Sequence, residues 1–300
     1  YNVPNMLKSL RKSLEYYTNN YGPYMHKQCR IIEFPRYASF AQAFPGTMPY
    51  SEGIGFIADL RDVGEDDIDF VFFVVSHEMG HQYWAHQLVG ADMQGSEMLS
   101  ESFAEYSALM VMEKEYGKEK MRKFLSYEMD KYLSGRAGEY EAERPIMATE
   151  GQGYIHYNKG SVVLYYLKEM IGEDNVNAAL RKLLADHAYK EAPYPTSIHA
   201  VEAFREVTPD TLQYLIADLF ENITLFSNRV ESSSVKKVGA QWQVTVNTRS
   251  EKYRADTLGK ETPVALQDYI DIGVFGEASK GRKLGKPLAM RRVKVSRSTN

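Results

Sequence analysis

The sequence contains one cysteine, Cys29, so it can close no internal disulfide and offers no second thiol for a cysteine metal clip. Cys29 is expected to be buried and chemically silent. No run of about eighteen apolar residues occurs, which excludes a membrane span within these residues, and no signal-peptide pattern is visible. Positive charge is not in excess: the formal net charge is -4, whereas nucleic-acid binders concentrate basic residues on one face. Residues Lys280 to Arg297 are the exception, with eight Lys or Arg and no acid. They read as a solvated strand and loop or, alternatively, as a contact for an anionic membrane surface or partner. Internal repeats and low-complexity segments are also missing. What is present is an ordinary globular composition, 44% hydrophobic and 25% charged over 300 residues, enough to bury a sizeable core. The chain begins at Tyr1 rather than Met, as a piece of a longer protein would.

The pattern along the chain predicts an α+β fold. Leu7, Leu10, Leu14 and Tyr17 recur at helical spacing after Pro4, predicting a first helix to about Asn19. The stretches "RIIEFPRYASFAQAF" and "GIGFIADL" read as strands separated by the turn-rich "PGTMPYSEG". In "DIDFVFFVVSHEMGHQYWAHQLV", aromatic and β-branched residues favour a strand by propensity. Its length and the Asp66-Asp67 pair favour a buried helix from about residue 66. The stretch "SEMLSESFAEYSALMVMEKEY" is predicted helical, capped by Gly117, and helices continue to about Glu221. After Asn228 the pattern alternates, as in "QWQVTVNT" and "RRVKVS". Two domains are expected: a mainly helical domain with a small mixed sheet at residues 1–228, and a small all-β, sandwich-like domain at residues 229–300.

Within the predicted buried helix, "HEMGH" places His77 and His81 four residues apart with Glu78 between them. Residues so spaced lie on one helix face, about 6 Å apart along the axis, so both imidazoles can reach one metal ion. A catalytic zinc takes three protein ligands, commonly including a carboxylate, and leaves a position for water. Glu101, separated from His81 by nineteen residues and on the next predicted helix, can supply that carboxylate. Glu97 is the alternative, nearer but outside the "SESFAEY" context. Glu105, four residues after Glu101, is either a solvated helix glutamate or a carboxylate that holds a ligating histidine. His86 falls outside the spacing and reads as structural.

"HEMGH", the nineteen-residue interval and "SESFAEY" resemble the gluzincin metallopeptidases, in particular the alanyl and leucyl aminopeptidase family. That family carries H-E-x-x-H, eighteen residues, then the glutamate of N-E-G-F-A. Here the interval is one residue longer, and Ser100 and Ser102 stand for the family's Asn and Gly. "IHYNKG" matches the family's Y-x-K-G at Tyr157, and "PYSEG" is similar to its G-A-M-E-N turn, with Ser51 for Met and Gly53 for Asn. The resemblance covers residues 5 to about 225 and implies a thermolysin-like catalytic domain without the family's large N-terminal β domain.

The resemblance further implies one zinc ion held by His77, His81 and Glu101, with Glu78 as the general base. Tyr157 would donate to the oxyanion, and Glu52 would meet the substrate's free α-ammonium, unless it is a plain turn acid. The expected activity is aminopeptidase cleavage of peptides. A thermolysin-like endopeptidase is one alternative, and a non-catalytic peptide-sensing domain of a membrane transporter is another. Intact Glu78 and Tyr157 speak against the sensor. A narrower resemblance, to the peptidase domain fused behind bacterial ABC-type permeases, implies a permease within the same protein and a place in the cell envelope, with the cytoplasm as the alternative.

Overall fold

The computed structural model describes residues 1–60, 68–277 and 284–297. By internal packing the chain divides into two compact units, residues 1–222 and 223–300.

Helix α1 (Val3–Asn20) opens the first unit, with Pro4 in its first turn. Its buried residues are Met6, Ser9, Ser13, Tyr16 and Tyr17, whereas Leu7 is exposed. The buried face is thus rotated from the one the leucines suggested. Hydroxyls explain the difference: Ser9 Oγ donates to the Phe72 carbonyl at 2.6 Å, and Ser9 and Ser13 reach Ser76 Oγ at 2.9 and 3.0 Å. Small side chains that satisfy one another let α1 lie close to α2 (Phe70–Gly80).

Strands β1 (Arg30–Phe34) and β2 (Thr47–Ser51) pair in parallel, Arg30 opposite Thr47 and Phe34 opposite Ser51. Only the first part of "RIIEFPRYASFAQAF" is strand; β2 lies inside the stretch read as turn, and "GIGFIA" instead forms turns beneath it. Gly46, at φ +68°, makes the turn into β2, and Gly55 leaves room for the Tyr50 ring, with which a Cβ would collide. Gly46 N–H donates to Gln82 Oε1 at 2.8 Å, which ties the sheet to the residue after His81.

Helix α2 starts at Asp69, whose carboxylate accepts the Phe72 N–H at 2.9 Å. Asp66 and Asp67, expected at that start, lie outside the described residues. The helix also ends earlier than predicted, with His81 as its cap residue, and the chain turns at Ala85, which holds φ +112°. A π turn (Met98–Ser102) leads into α3 (Phe103–Tyr116), which Gly117 terminates as expected. Then come α4 (Lys118–Gly138), a second π turn (Tyr154–Lys159), α5 (Gly160–Ile171), α6 (Glu173–His187), α7 (Ser197–Val207) and short helical turns at 210–221. The core gathers Tyr17, Phe72, Trp84, Phe103, Tyr106, Phe124 and Phe204 around α2 and α3. Cys29 is half-buried, and burial pushes its thiol pKa up.

In the second unit the alternation begins at Ile223, ahead of the expected Asn228. Strands β3 (Ile223–Val238), β4 (Gln241–Ala255) and β5 (Glu261–Val264) form one antiparallel sheet, and β6 (Leu266–Phe275) and β7 (Pro287–Arg297) form a second. A buried Lys252–Asp268 pair at 3.2 Å joins β4 to β6. In the basic stretch, Arg292 is bound by both oxygens of Asp271 at 2.8 and 3.0 Å. No helix among the described residues is long and apolar enough to cross a membrane.

Candidate metal centre

Buried helix α2 points His77 and His81 from its last turn toward the π turn that carries Glu101. Their close approach depends on Gly80, where a Cβ would lie 3.0 Å from the Ala104 Cα. The Nε2 atoms of His77 and His81 are 3.0 Å apart, and they lie 3.3 and 3.2 Å from Glu101 Oε2. Among the described residues these three side chains form a group whose donor atoms all fall within 4.8 Å of one another.

The donors fit a tetrahedral zinc. Zinc–ligand bonds of about 2.0–2.2 Å give a tetrahedron with edges of roughly 3.3–3.6 Å. The observed triangle is close to one face of it. Glu101 Oε2 is buried without a well-aligned hydrogen bond, although two imidazoles lie beside it, as expected of lone pairs converging on a shared cation.

Each imidazole is held from behind. His77 Nδ1 lies 3.2 Å from Glu105 Oε1 as an ion-pair contact without hydrogen-bond alignment, and His81 Nδ1 is hydrogen-bonded at 3.0 Å to the Trp84 carbonyl oxygen. Both contacts leave the Nε2 lone pairs facing inward. Glu105 is buried beside His77, not solvated. Burial would lower the His77 pKa, yet Glu105 and Glu101 hold it well above the usual imidazole value. For Glu101, burial acts upward, but the two histidines outweigh it and hold the carboxyl well below the usual range.

Glu78 is buried beside the ligands, and burial raises its pKa against the pull of His77 and His81. The Tyr157 ring lies 6.0 Å from the His77 ring and is partly open to solvent. Burial, and then the charge and hydrogen bond of Glu101, push its hydroxyl pKa up, so the hydroxyl is a donor at neutral pH. Glu97 is not part of the group of His77, His81 and Glu101 and meets another histidine: its Oε2 lies 2.9 Å from His156 Nδ1. Glu52 is half-buried and accepts the Arg36 backbone N–H at 3.2 Å. Two residues earlier, burial and then the Glu78 charge push the Tyr50 hydroxyl pKa up. His86 lies 3.1 Å from the Ala43 carbonyl, apart from the site.

Three neighbours were not singled out in the sequence. His156 and Asn158 flank Tyr157, and Glu128, buried on α4, accepts from Asn158 Nδ2 at 2.7 Å. Burial, then the charge of Glu105, raises the Glu128 pKa to about 7. A signal did exist for Glu128: it falls in the buried stripe Met121, Phe124, Glu128, Tyr132, a charge where the helical period demands an apolar residue.

Residues 6–219 match the model of the peptidase family M1 domain. The chain belongs to peptidase family M1. Its sequence is 26% identical over 193 residues to endoplasmic reticulum aminopeptidase 2 of Homo sapiens, covering 62% of this chain and 20% of that protein. Aminopeptidase A of Gloydius brevicauda is 27% identical over 185 residues, covering 59% and 19%. The chain spans about a fifth of the length of these curated relatives. Its fold is that of solved M1 structures. The M1 zinc metallopeptidase of Deinococcus radiodurans superposes with a TM-score of 0.52 at 16% identity, covering 72% of this chain and 43% of that one. Yeast LTA4 hydrolase gives 0.54 at 13% identity, covering 70% and 33%. Membership in M1 agrees with zinc, the ion that the donor triangle fits.

Proposed function

We propose that this chain is the catalytic part of a zinc aminopeptidase that removes residues from the free N-terminus of peptides. The observation that carries the reading is the convergence of His77, His81 and Glu101 beside the buried Glu78. Zinc, when bound there, supplies a Lewis acid that polarises the scissile carbonyl and lowers the pKa of a water to about 7. Glu78 would take a proton from the attacking water and deliver it to the leaving amine; its raised pKa suits both transfers. Tyr157 donates its hydroxyl hydrogen to the developing oxyanion. Glu105 and the Trp84 carbonyl keep both imidazoles oriented. Glu52 pairs with the substrate ammonium and so selects the first peptide bond.

A second reading, a thermolysin-like endopeptidase, is favoured by the Arg36 N–H that already occupies one Glu52 oxygen. Free and N-acetylated forms of one peptide series separate the two. The aminopeptidase requires the free amine, and Glu52→Gln lowers kcat/KM about tenfold to a hundredfold, the worth of a charge-assisted hydrogen bond. Internal cleavage of acetylated peptides at the same rate, indifferent to Glu52→Gln, would replace it with the endopeptidase. Bound zinc without turnover of any peptide would leave a peptide-sensing domain. The β-sandwich-like form of the second unit belongs to this proposal. So do a permease partner and a place in the cell envelope, which rest on the narrower resemblance and are tested by fractionating cells.

A further inference from the structure

Glu101 and Tyr157 sit on two π turns, Met98–Ser102 and Tyr154–Lys159. A π turn inserts an extra residue into a helical ladder and is a local fault unless its surroundings hold it. Here the two turns hold each other. Ser102 Oγ donates to the His156 carbonyl at 2.6 Å, and Gly160 lacks the Cβ that would collide with the Ser102 hydroxyl. Glu97, the residue before the first π turn, places Oε2 2.9 Å from His156 Nδ1, an ion-pair contact rather than an aligned hydrogen bond, while its carboxylate accepts the Gly151 N–H at 3.0 Å. On the far side of Tyr157, Asn158 donates to Glu128 at 2.7 Å, and buried Lys159 lies 3.3 Å from Glu143. Of residues 156–159 Tyr157 is the most exposed, and its neighbours are anchored around it.

We propose that Glu97 and His156 are positioning residues, a pair that locks the turn of Tyr157 to the turn of Glu101. The metal ligand and the transition-state donor then keep one register. The pair touches neither substrate nor the reacting atoms. It acts through Tyr157, and the proposal rests on the role given to Tyr157 above. A misplacement of about 1 Å in such a donor can cost on the order of a hundredfold in rate, so a contact between side chains on adjacent turns is enough to matter.

The test is a double-mutant cycle in the zinc-loaded protein, read together with zinc content and with hydrogen exchange of residues 154–160 in the zinc-free protein. Glu97→Gln should lower kcat about tenfold with KM and zinc content unchanged, as expected for a contact expressed in the transition state. In a Tyr157→Phe background the same change should cost less than about twofold, because the two side chains act as one unit. Exchange in 154–160 should rise in Glu97→Gln. His156→Asn, whose amide keeps a donor facing Glu97, should retain more activity than His156→Leu, and this comparison stands even if one variant folds poorly. Additive losses, an effect on KM alone or unchanged exchange would overturn the proposal while an active wild type leaves the peptidase reading intact. A wild type that binds zinc and hydrolyses nothing overturns both.

Discussion

Glu97 and Glu101 are the same residue type four positions apart, and their surroundings give them different work. Glu101 Oε2 meets two imidazole nitrogens within 3.3 Å, and Glu97 meets His156. Glu101→Ala should therefore lose most of the zinc, and Glu97→Ala should keep it, as metal analysis of the purified variants will tell. Glu78→Gln should keep zinc and lose roughly 10²-fold or more in kcat, the size of a general-base contribution. The pH dependence of zinc uptake follows from His77. Its carboxylate neighbours raise its pKa above the ordinary 6.5 in the metal-free protein, so the imidazole keeps its proton through that pH. Zinc takes only the neutral imidazole and must displace this proton. Apparent affinity should thus rise with pH from below 6.5 through the raised value, and calorimetry in buffers of different ionisation enthalpy should register proton release. Uptake without proton release near pH 6.5 would contradict it. The residues nearest the metal were legible because a four-residue helical spacing fixes geometry locally. The pairings of His156 and Glu128 were not, because His156 meets Glu97 from the segment before the first π turn and Glu128 meets Asn158 from the second, which no local spacing reveals.

At the scale of elements, the sequence showed where helices run better than which face they bury. In α1 the leucines drew attention, but the close packing on α2 is made by Ser9, Ser13 and Ser76, whose polarity disappears once they bond to one another. In the β1–β2 region, "GIGFIA" had the look of a strand, and Gly55 was instead needed as a gap for Tyr50. The π turns were invisible because a π turn and an α turn share the same apolar spacing over five or six residues. The crossing of α2 and α3 is the contact on which the site depends. Gly80 approaches Ala104 so closely that a methyl group would lie 3.0 Å from backbone that cannot swing aside. Gly80→Ala should cost about 1–3 kcal/mol of stability by overpacking. It should also weaken zinc binding, since α3 carries Glu105 and follows the turn of Glu101. If the variant melts lower but binds zinc as tightly as the wild type, the crossing serves stability and not the site.

For the whole molecule, the chain's two units make a single two-state transition an unsafe assumption, and that is useful. All three proposed zinc ligands fall in the first unit, residues 1–222. A ligand that binds only the native state stabilises it in proportion to the logarithm of its concentration over Kd, about 2.7 kcal/mol at a hundredfold excess. For a unit of 150–250 residues each kcal/mol moves Tm by about 2–4 °C, so zinc at that excess should raise the melting of the first unit by roughly 5–10 °C. Melting of the second unit, which contributes no ligand, should not respond. Scanning calorimetry with and without a chelator should then show one zinc-dependent component, monitored separately by the fluorescence of Trp84 in the core of the first unit and of Trp242 on β4. Glu101→Ala should abolish the zinc-dependent shift, whereas Glu78→Gln, which removes the base and no ligand, should keep it. A shift that persists in Glu101→Ala would mean that the metal is held elsewhere, and the ligand triangle would lose its role.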